Sequence, residues 1–285
     1  RVWFGAILTA FTFLVIFGGI HRIAVISGIL VPLMAIAYIL LAVYILGTRA
    51  GMLPGVMGSI FSNALGFEQF AGGGLGVIVM QGIRRGLFSN EAGMGSAPNA
   101  AATADVSHPA KQGLIQALSV FTDTLIICSC TAFIILLSGV PLDGSVKGIQ
   151  LTQMALTREI GSTGGQFIAV AILLFAFSSI VGNYSYCETN LLFISKNKTY
   201  LQVYRVAVGA MVMFGSVAAL DLVWNLADLA MAVMTVINLV AIVLLGKIAL
   251  KVLQDYQRQR RTSKKNIIFK ASSIPELKDS TSEWE

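Results

Sequence analysis

Asn90 and Glu91 stand side by side in the run GLFSNEAGMGS, Gly86 to Ser96, inside an otherwise apolar region that also supplies three glycines. A carboxylate and an amide among residues that a regular helix disfavours define a polar break. On its N-terminal side GGGLGVIVMQGI, Gly72 to Ile83, is only about half a membrane thick as a helix, since roughly 20 residues are needed to cross. On its C-terminal side SAPNAAATA, Ser96 to Ala104, is small and weakly helical, and Pro98 bars a hydrogen bond in the turn before it. Half-helices around such a break leave backbone donors and acceptors open at membrane depth, which survives only where the break lines a cavity or holds a ligand. A carboxylate there is costly unless paired or protonated. Glu91 therefore either braces the unwound segment by accepting backbone N–H bonds or acts on a substrate or proton. Ser89 and Ser96 read as helix caps at the break.

The elements that must position this break are membrane helices. Hydrophobic residues make up 56% of the chain, charged residues 12%, and the mean hydropathy is +0.79; an ordinary soluble domain carries about twice that share of charge. The reading is an all-α polytopic membrane protein. The net charge of +6 is concentrated in KIALKVLQDYQRQRRTSKKNIIFK, Lys247 to Lys270, and reads as a topology signal, not a nucleic-acid footprint. Cys128, Cys130 and Cys187 lie in apolar surroundings and form no disulfide framework, and His21 and His108 are too far apart in sequence for a metal-ligand cluster. An enzyme using Glu91 as general base would need a nucleophile or metal, and the nearby sequence offers neither His nor Cys.

Seven membrane elements follow. Spans run from Val2 to Ile20, closing on the surface pair His21-Arg22, and from Ala24 to Leu46, with Pro32 kinking it or marking its entry. GTRAGMLPGVMGSIFSNALGFEQF is too polar and Gly-rich to span and reads as a loop with a short interfacial helix. The broken element ends near Asp105. Gln112 to Ser138 is the fourth span and contains Asp123; a polar connection, Gly139 to Gly164, leads to the fifth, Phe167 to Ser195. That span holds FAFSSIVGNYSYCE, more polar than lipid contact all round allows. Leu201 to Leu220 and Trp224 to Leu250 complete the set. Residues 1–254 form the membrane region, and 255–285, charged and poor in apolar residues, read as a disordered cytoplasmic tail. With the basic tail inside, every second connection is basic, so the broken and fifth elements run from outside to inside. The absence of an initial Met, with a hydrophobic segment almost at once, suggests a chain truncated at its N-terminus.

RRGLFSNEAGMGSAPNAAATADVSHPAKQG, FTDTLIICSCTAFIILLSG, FAFSSIVGNYSYCETN and VWNLADLAMAVMTVINLVAI closely resemble the alanine/glycine:cation symporter family, the bacterial sodium:alanine symporters, and the resemblance runs from Val2 to about Leu253. It implies the inverted-repeat fold of five plus five helices found in the amino acid-polyamine-organocation superfamily, with the first helix of each repeat unwound around the substrate. Counting back from the seventh span as core helix 10 makes the fifth span core helix 8 and the broken element core helix 6, so the chain holds core helices 4 to 10. The first broken helix of the family, with its GxGN-type motif, has no counterpart here.

The resemblance also implies a function. The expected activity is sodium-coupled import of alanine or glycine across the bacterial cytoplasmic membrane, with no cofactor beyond the coupling ion and lipid as the surrounding partner. A zwitterion wants backbone N–H groups or a cation at its carboxylate and carbonyls at its ammonium, and an unwound Phe88 to Met94 offers both. Phe88, Ser89, Asn90, Glu91, Gly93 and Met94 form the expected substrate site. Phe88 and Met94 are candidates for closing its side-chain end, and Asn90 either touches substrate or pins the break. Ser178 and Ser179 align with the superfamily's hydroxyl pair as sodium ligands on core helix 8; the plain alternative is that these serines permit close helix packing. Asn183 lines the same cavity, Glu188 sits near the cytoplasmic exit, and Arg84 and Arg85 anchor the broken helix or form a gate. Asp123 serves a second cation site or a helix–helix hydrogen bond. Coupling to protons through Glu91 or Asp123, uptake of another small amino acid, and an inactive fragment are the rival readings.

Overall fold

A computed structural model describes residues 1–18, 20–65, 74–146, 148–262, 267–277 and 284. Every regular element among them is helical: α1 (Val2–Ile16), α2 (Ile20–Thr48), α3 (Leu53–Leu65), α4 (Gly74–Asn90), α5 (Ser96–Ala102), α6 (Pro109–Ser138), α7 (Ile149–Ile160), α8 (Ser162–Ile194), α9 (Lys198–Val217) and α10 (Leu220–Thr262). Long apolar runs become helices because only a helix satisfies its backbone within one segment in hydrocarbon. Five of them, in α2, α6, α8, α9 and α10, are long and apolar enough to cross a membrane. Of the other expected elements, α1 is a 15-residue apolar helix and α4–α5 is broken. The side chains of His21 and Arg22, and residues Gly72 and Gly73 of the expected half-helix, lie outside the described residues.

By contacts the chain divides into two units, Arg1–Ser89 with Thr122–Ala219, and Asn90–Phe121 with Leu220–Glu285. In the first, α2, the second half of α6, α7 and α8 bury Tyr38, Ile45, Ile134, Leu137, Leu156 and Ile168 in one cluster. A smaller cluster joins α1 and α8 through Ile16, Val181 and Tyr184, with Tyr204 and Val208 of α9 packed against it. Here Gly209 lets α9 approach α1, for the Phe13 ring occupies the place of a Cβ, 2.1 Å from where one would sit. The second unit consists of α5, the first half of α6, α10 and the segment after it.

Four expectations change. The connection after α6 contains α7, which buries Thr152, Ala155 and Leu156 at helical spacing. The half-helix before the break is longer than predicted: α4 runs 17 residues and carries Phe88, Ser89 and Asn90 in its last turn, since nothing in Leu87-Phe88-Ser89 prevents helix. The fourth span is a continuous 30-residue helix, but Asp123–Cys128 forms a π-helical turn within it. Where a disordered tail is expected from Asp255, α10 instead continues to Thr262, and Ile267, Phe269, Ala271 and Ile274 beyond it are buried. Their spacing puts the apolar side chains of an otherwise charged segment on one side.

Candidate functional site

Between Asn90 and Ser96 the helix is interrupted for five residues, Glu91 to Gly95. Three of them turn the chain the left-handed way: Glu91 at φ 52°, Gly93 at 77° and Gly95 at 110°. Glycine adopts such angles freely; a glutamate does so at a cost of order 1–3 kcal/mol and must be held there. The holding contacts are local. The Asn90 side-chain oxygen accepts from the Ala92 N–H at 3.0 Å, and the Met94 N–H closes a turn onto the Glu91 carbonyl at 3.1 Å. The first of these bonds ties the Asn90 side chain to the backbone of the break. The Glu91 carboxylate accepts a hydrogen bond from the Ser96 hydroxyl, a contact to a side chain and not to a backbone N–H. Ser96 correspondingly faces Glu91 and does not cap α5.

Two amides hold the far side. Asn238, in the middle of α10, donates to the Gly93 carbonyl at 2.9 Å, and Asn99 donates to the Gly95 carbonyl at 3.0 Å. Gly95 packs so closely on α10 that an added Cβ would lie 3.3 Å from the Asn238 Cβ and 3.4 Å from the Met234 Cγ. Sequence reasoning missed Asn238, although a single amide in the apolar run AVMTVINLVAIVLL was the available signal.

In the other unit, Ser89 is helical and does not cap. Its hydroxyl donates to Asp123 Oδ2 at 2.7 Å and lies 3.2 Å from the Cys128 sulfur. Asp123 and Cys128 begin and end the π-helical turn, and the wider turn sets residues five apart on one side, so both reach one hydroxyl. The Arg85 guanidinium lies over the Phe88 ring, 6.0 Å from its centroid.

On α8, Ser178 and Ser179 both give their hydroxyl hydrogens to the Phe175 carbonyl, at 2.9 and 3.0 Å. That is the ordinary bond of a mid-helix serine, and it leaves the oxygen lone pairs directed away from the backbone. Farther along α8, buried Glu188 meets Arg205 of α9 at 3.1 Å. Arg205 also donates to the Tyr184 hydroxyl at 2.9 Å and sits over the Phe17 ring at 5.1 Å. At the opposite end of α8's unit, Arg49 pairs with Glu159 of α7 at 3.0 Å. None of these ion pairs is legible from sequence spacing.

Five helices long and apolar enough to cross a membrane, together with a helix pair whose polar interruption is braced from α10, describe a multi-pass membrane protein. The model of the sodium:alanine symporter family matches residues 1–271. Over 98% of its length the chain is 55% identical to the amino-acid carrier protein AlsT of Bacillus subtilis, and over 95% it is 51% identical to the probable sodium/glutamine symporter GlnT of the same organism. It is 34% identical over 92% of its length to the sodium/alanine symporter AgcS of Methanococcus maripaludis. These alignments cover 59%, 56% and 58% of the relatives, so the chain spans less than two-thirds of their length. The chain belongs to the sodium:alanine symporter family, a family of transporters and not of enzymes.

Proposed function

We propose that this chain supplies core helices 4 to 10 of a sodium-coupled symporter that imports alanine or glycine across the bacterial cytoplasmic membrane by alternating access, with its C-terminus in the cytoplasm and its exposed apolar helix faces in lipid. The observation that carries the reading is the left-handed backbone at Glu91, Gly93 and Gly95. Peptide groups freed from a helix at membrane depth offer the N–H and carbonyl partners a zwitterion needs. In this reading Asn90, Glu91, Gly93 and Met94 surround the substrate, with Phe88 and Ser89 contributing from the last turn of α4. Ser178 and Ser179 present hydroxyl oxygens to sodium, a hard cation that prefers them. GlnT is named a probable sodium/glutamine symporter and AgcS a sodium/alanine symporter, so in this reading side-chain selectivity rests on how Phe88 and Met94 close the pocket.

A second reading, proton coupling, is favoured by one observation: a carboxylate, Asp123, in a π-helical turn hydrogen-bonded to the α4 residue beside the break. A relative from Bacillus sp. PS3 is named a sodium/proton-dependent alanine carrier protein. Binding of labelled alanine to detergent-purified protein, both this chain and a form extended upstream, separates the two. Alanine affinity of the extended form that rises about tenfold when sodium replaces potassium supports sodium coupling. Affinity that follows pH and ignores sodium supports Asp123 or Glu91 as a proton carrier.

A further inference from the structure

The segment joining α5 to α6 is clasped by the residues that follow α10. Ser107 makes two bonds to that segment: its carbonyl accepts from the Phe269 N–H at 2.9 Å and its hydroxyl donates to the Ile267 carbonyl at 3.0 Å. Between those residues, Ile268 is held from α10, donating to the Gln259 side chain at 3.1 Å and accepting from it at 2.9 Å. Phe269 is 3% exposed and stands edge-on to the His108 ring at 5.1 Å and to the Trp284 ring at 5.6 Å. Lys251 and Glu276 pair farther along. These contacts all fall in one unit, which also contains Asn238 and Gly93.

At the centre is His108, with none of its surface exposed. Its Nδ1 accepts from the Ala110 N–H at 3.1 Å, and its Nε2 faces Asp255 at 3.4 Å. A neutral imidazole has one donor and one acceptor nitrogen, so this arrangement needs the hydrogen on Nε2. From α10, Asp255 and Tyr256 face the ring, with Arg258 paired to Asp255; from α6, Lys111 bonds Ser107; among the described residues of the clasp, Phe269 meets the ring and Trp284 packs on Phe269. Asp255 is already engaged by Arg258 at 2.6 Å and Gln259 at 2.7 Å. A second proton on His108 sets an N–H against the Ala110 N–H, inside a pocket closed by an aromatic ring.

We propose that residues 267–277 are a latch that fastens the α5–α6 segment to α10, and that protonation of His108 opens it. Closed, the latch fixes the end of α5 to the same helix whose Asn238 holds the break, so the second half of the broken element and α10 move as one body. Its consequence for transport rests on the function proposed above; its opening does not. Burial holds the His108 pKa below its ordinary value, outweighing the attraction of Asp255. The open form, with a solvated ring of pKa about 6.5, therefore binds the proton better, and closure is stable above that pH and lost as pH falls through it.

The test is hydrogen exchange of peptides covering 267–277, in the whole chain and in an upstream-extended form reconstituted in lipid nanodiscs, at pH 7.5 and 5.5 and corrected for intrinsic exchange. The expected result is protection at pH 7.5 that falls by up to about tenfold per pH unit below the open-form pKa. His108→Gln, which still accepts from Ala110 and donates to Asp255 but does not titrate, keeps protection at both pH values; Phe269→Ala loses it at both. Protection independent of pH in the unaltered protein, an unchanged pH response in His108→Gln, or loss of protection in that variant at pH 7.5 each overturns the proposal. None of these readouts requires transport, so a failed symporter assignment leaves the latch standing and the reverse holds as well.

Discussion

The side-chain amide of Asn238 donates to the Gly93 carbonyl at 2.9 Å, joining the middle of a 43-residue helix to the centre of a five-residue helix break. An unwound carbonyl in an apolar setting needs a partner, and the deletion of one leaves the full desolvation cost behind. Asn238→Leu is expected to lower stability by about 1–2 kcal/mol, read as a lower midpoint of thermal unfolding in detergent, and to weaken alanine binding. Asn238→Gln, longer by one methylene, recovers part of both. An Asn238→Leu protein with unaltered stability and binding shows that the contact is not needed.

Gly95 and Gly93 offer an internal comparison. Both have positive φ, but a Cβ at Gly95 meets Asn238 and Met234 whereas one at Gly93 meets open space. Gly93→Ala is expected to cost about 1 kcal/mol from backbone strain alone, and Gly95→Ala more, toward 3 kcal/mol. Chemical-denaturation midpoints of the two variants give the order, and equal costs contradict the close packing on α10.

These two positions also show what was legible in the sequence. Gly93 and Gly95 announce non-helical backbone by residue type, and Pro98 and the small residues after it announce a short α5. Phe88 and Ser89 do not, because their propensities are compatible with helix and only the backbone beyond them decides where α4 stops. The π-helical turn at Asp123–Cys128 is hidden for a different reason: over six residues a wider helical period cannot be told from 3.6 by pattern. The tail after Asp255 was masked by its charge, although Ile267, Phe269 and Ile274 were visible among the lysines. Which residues bond across elements, such as Asn238 with Gly93 or Arg205 with Glu188, depends on tertiary packing that no local spacing encodes.

Ser89 and Asp123 should be energetically coupled through their 2.7 Å bond. In a double-mutant cycle of Ser89→Ala and Asp123→Asn the coupling energy is expected at about 0.5–2 kcal/mol in stability. Strict additivity of the two substitutions contradicts the contact.

Buried Glu188 pairs with partly buried Arg205, and removing the arginine leaves an uncompensated buried carboxylate. Arg205→Met alone, which strands the buried carboxylate, is expected to cost about 3 kcal/mol, Glu188→Met less, and the double substitution less than the sum of the two. Unfolding of purified single and double variants measures the difference; a double variant at least as unstable as the sum of the singles argues against a pair of opposed charges.

The proposed sodium-driven import is tested most directly by uptake of labelled alanine into proteoliposomes with and without an inward sodium gradient, using this chain and a form extended upstream. The account predicts concentrative uptake by the extended form only when sodium is supplied outside, with Ser178→Ala and Ser179→Ala raising the sodium concentration needed for half-maximal uptake by about tenfold. Uptake that follows an imposed proton gradient and ignores sodium contradicts it and moves the coupling to Asp123 or Glu91.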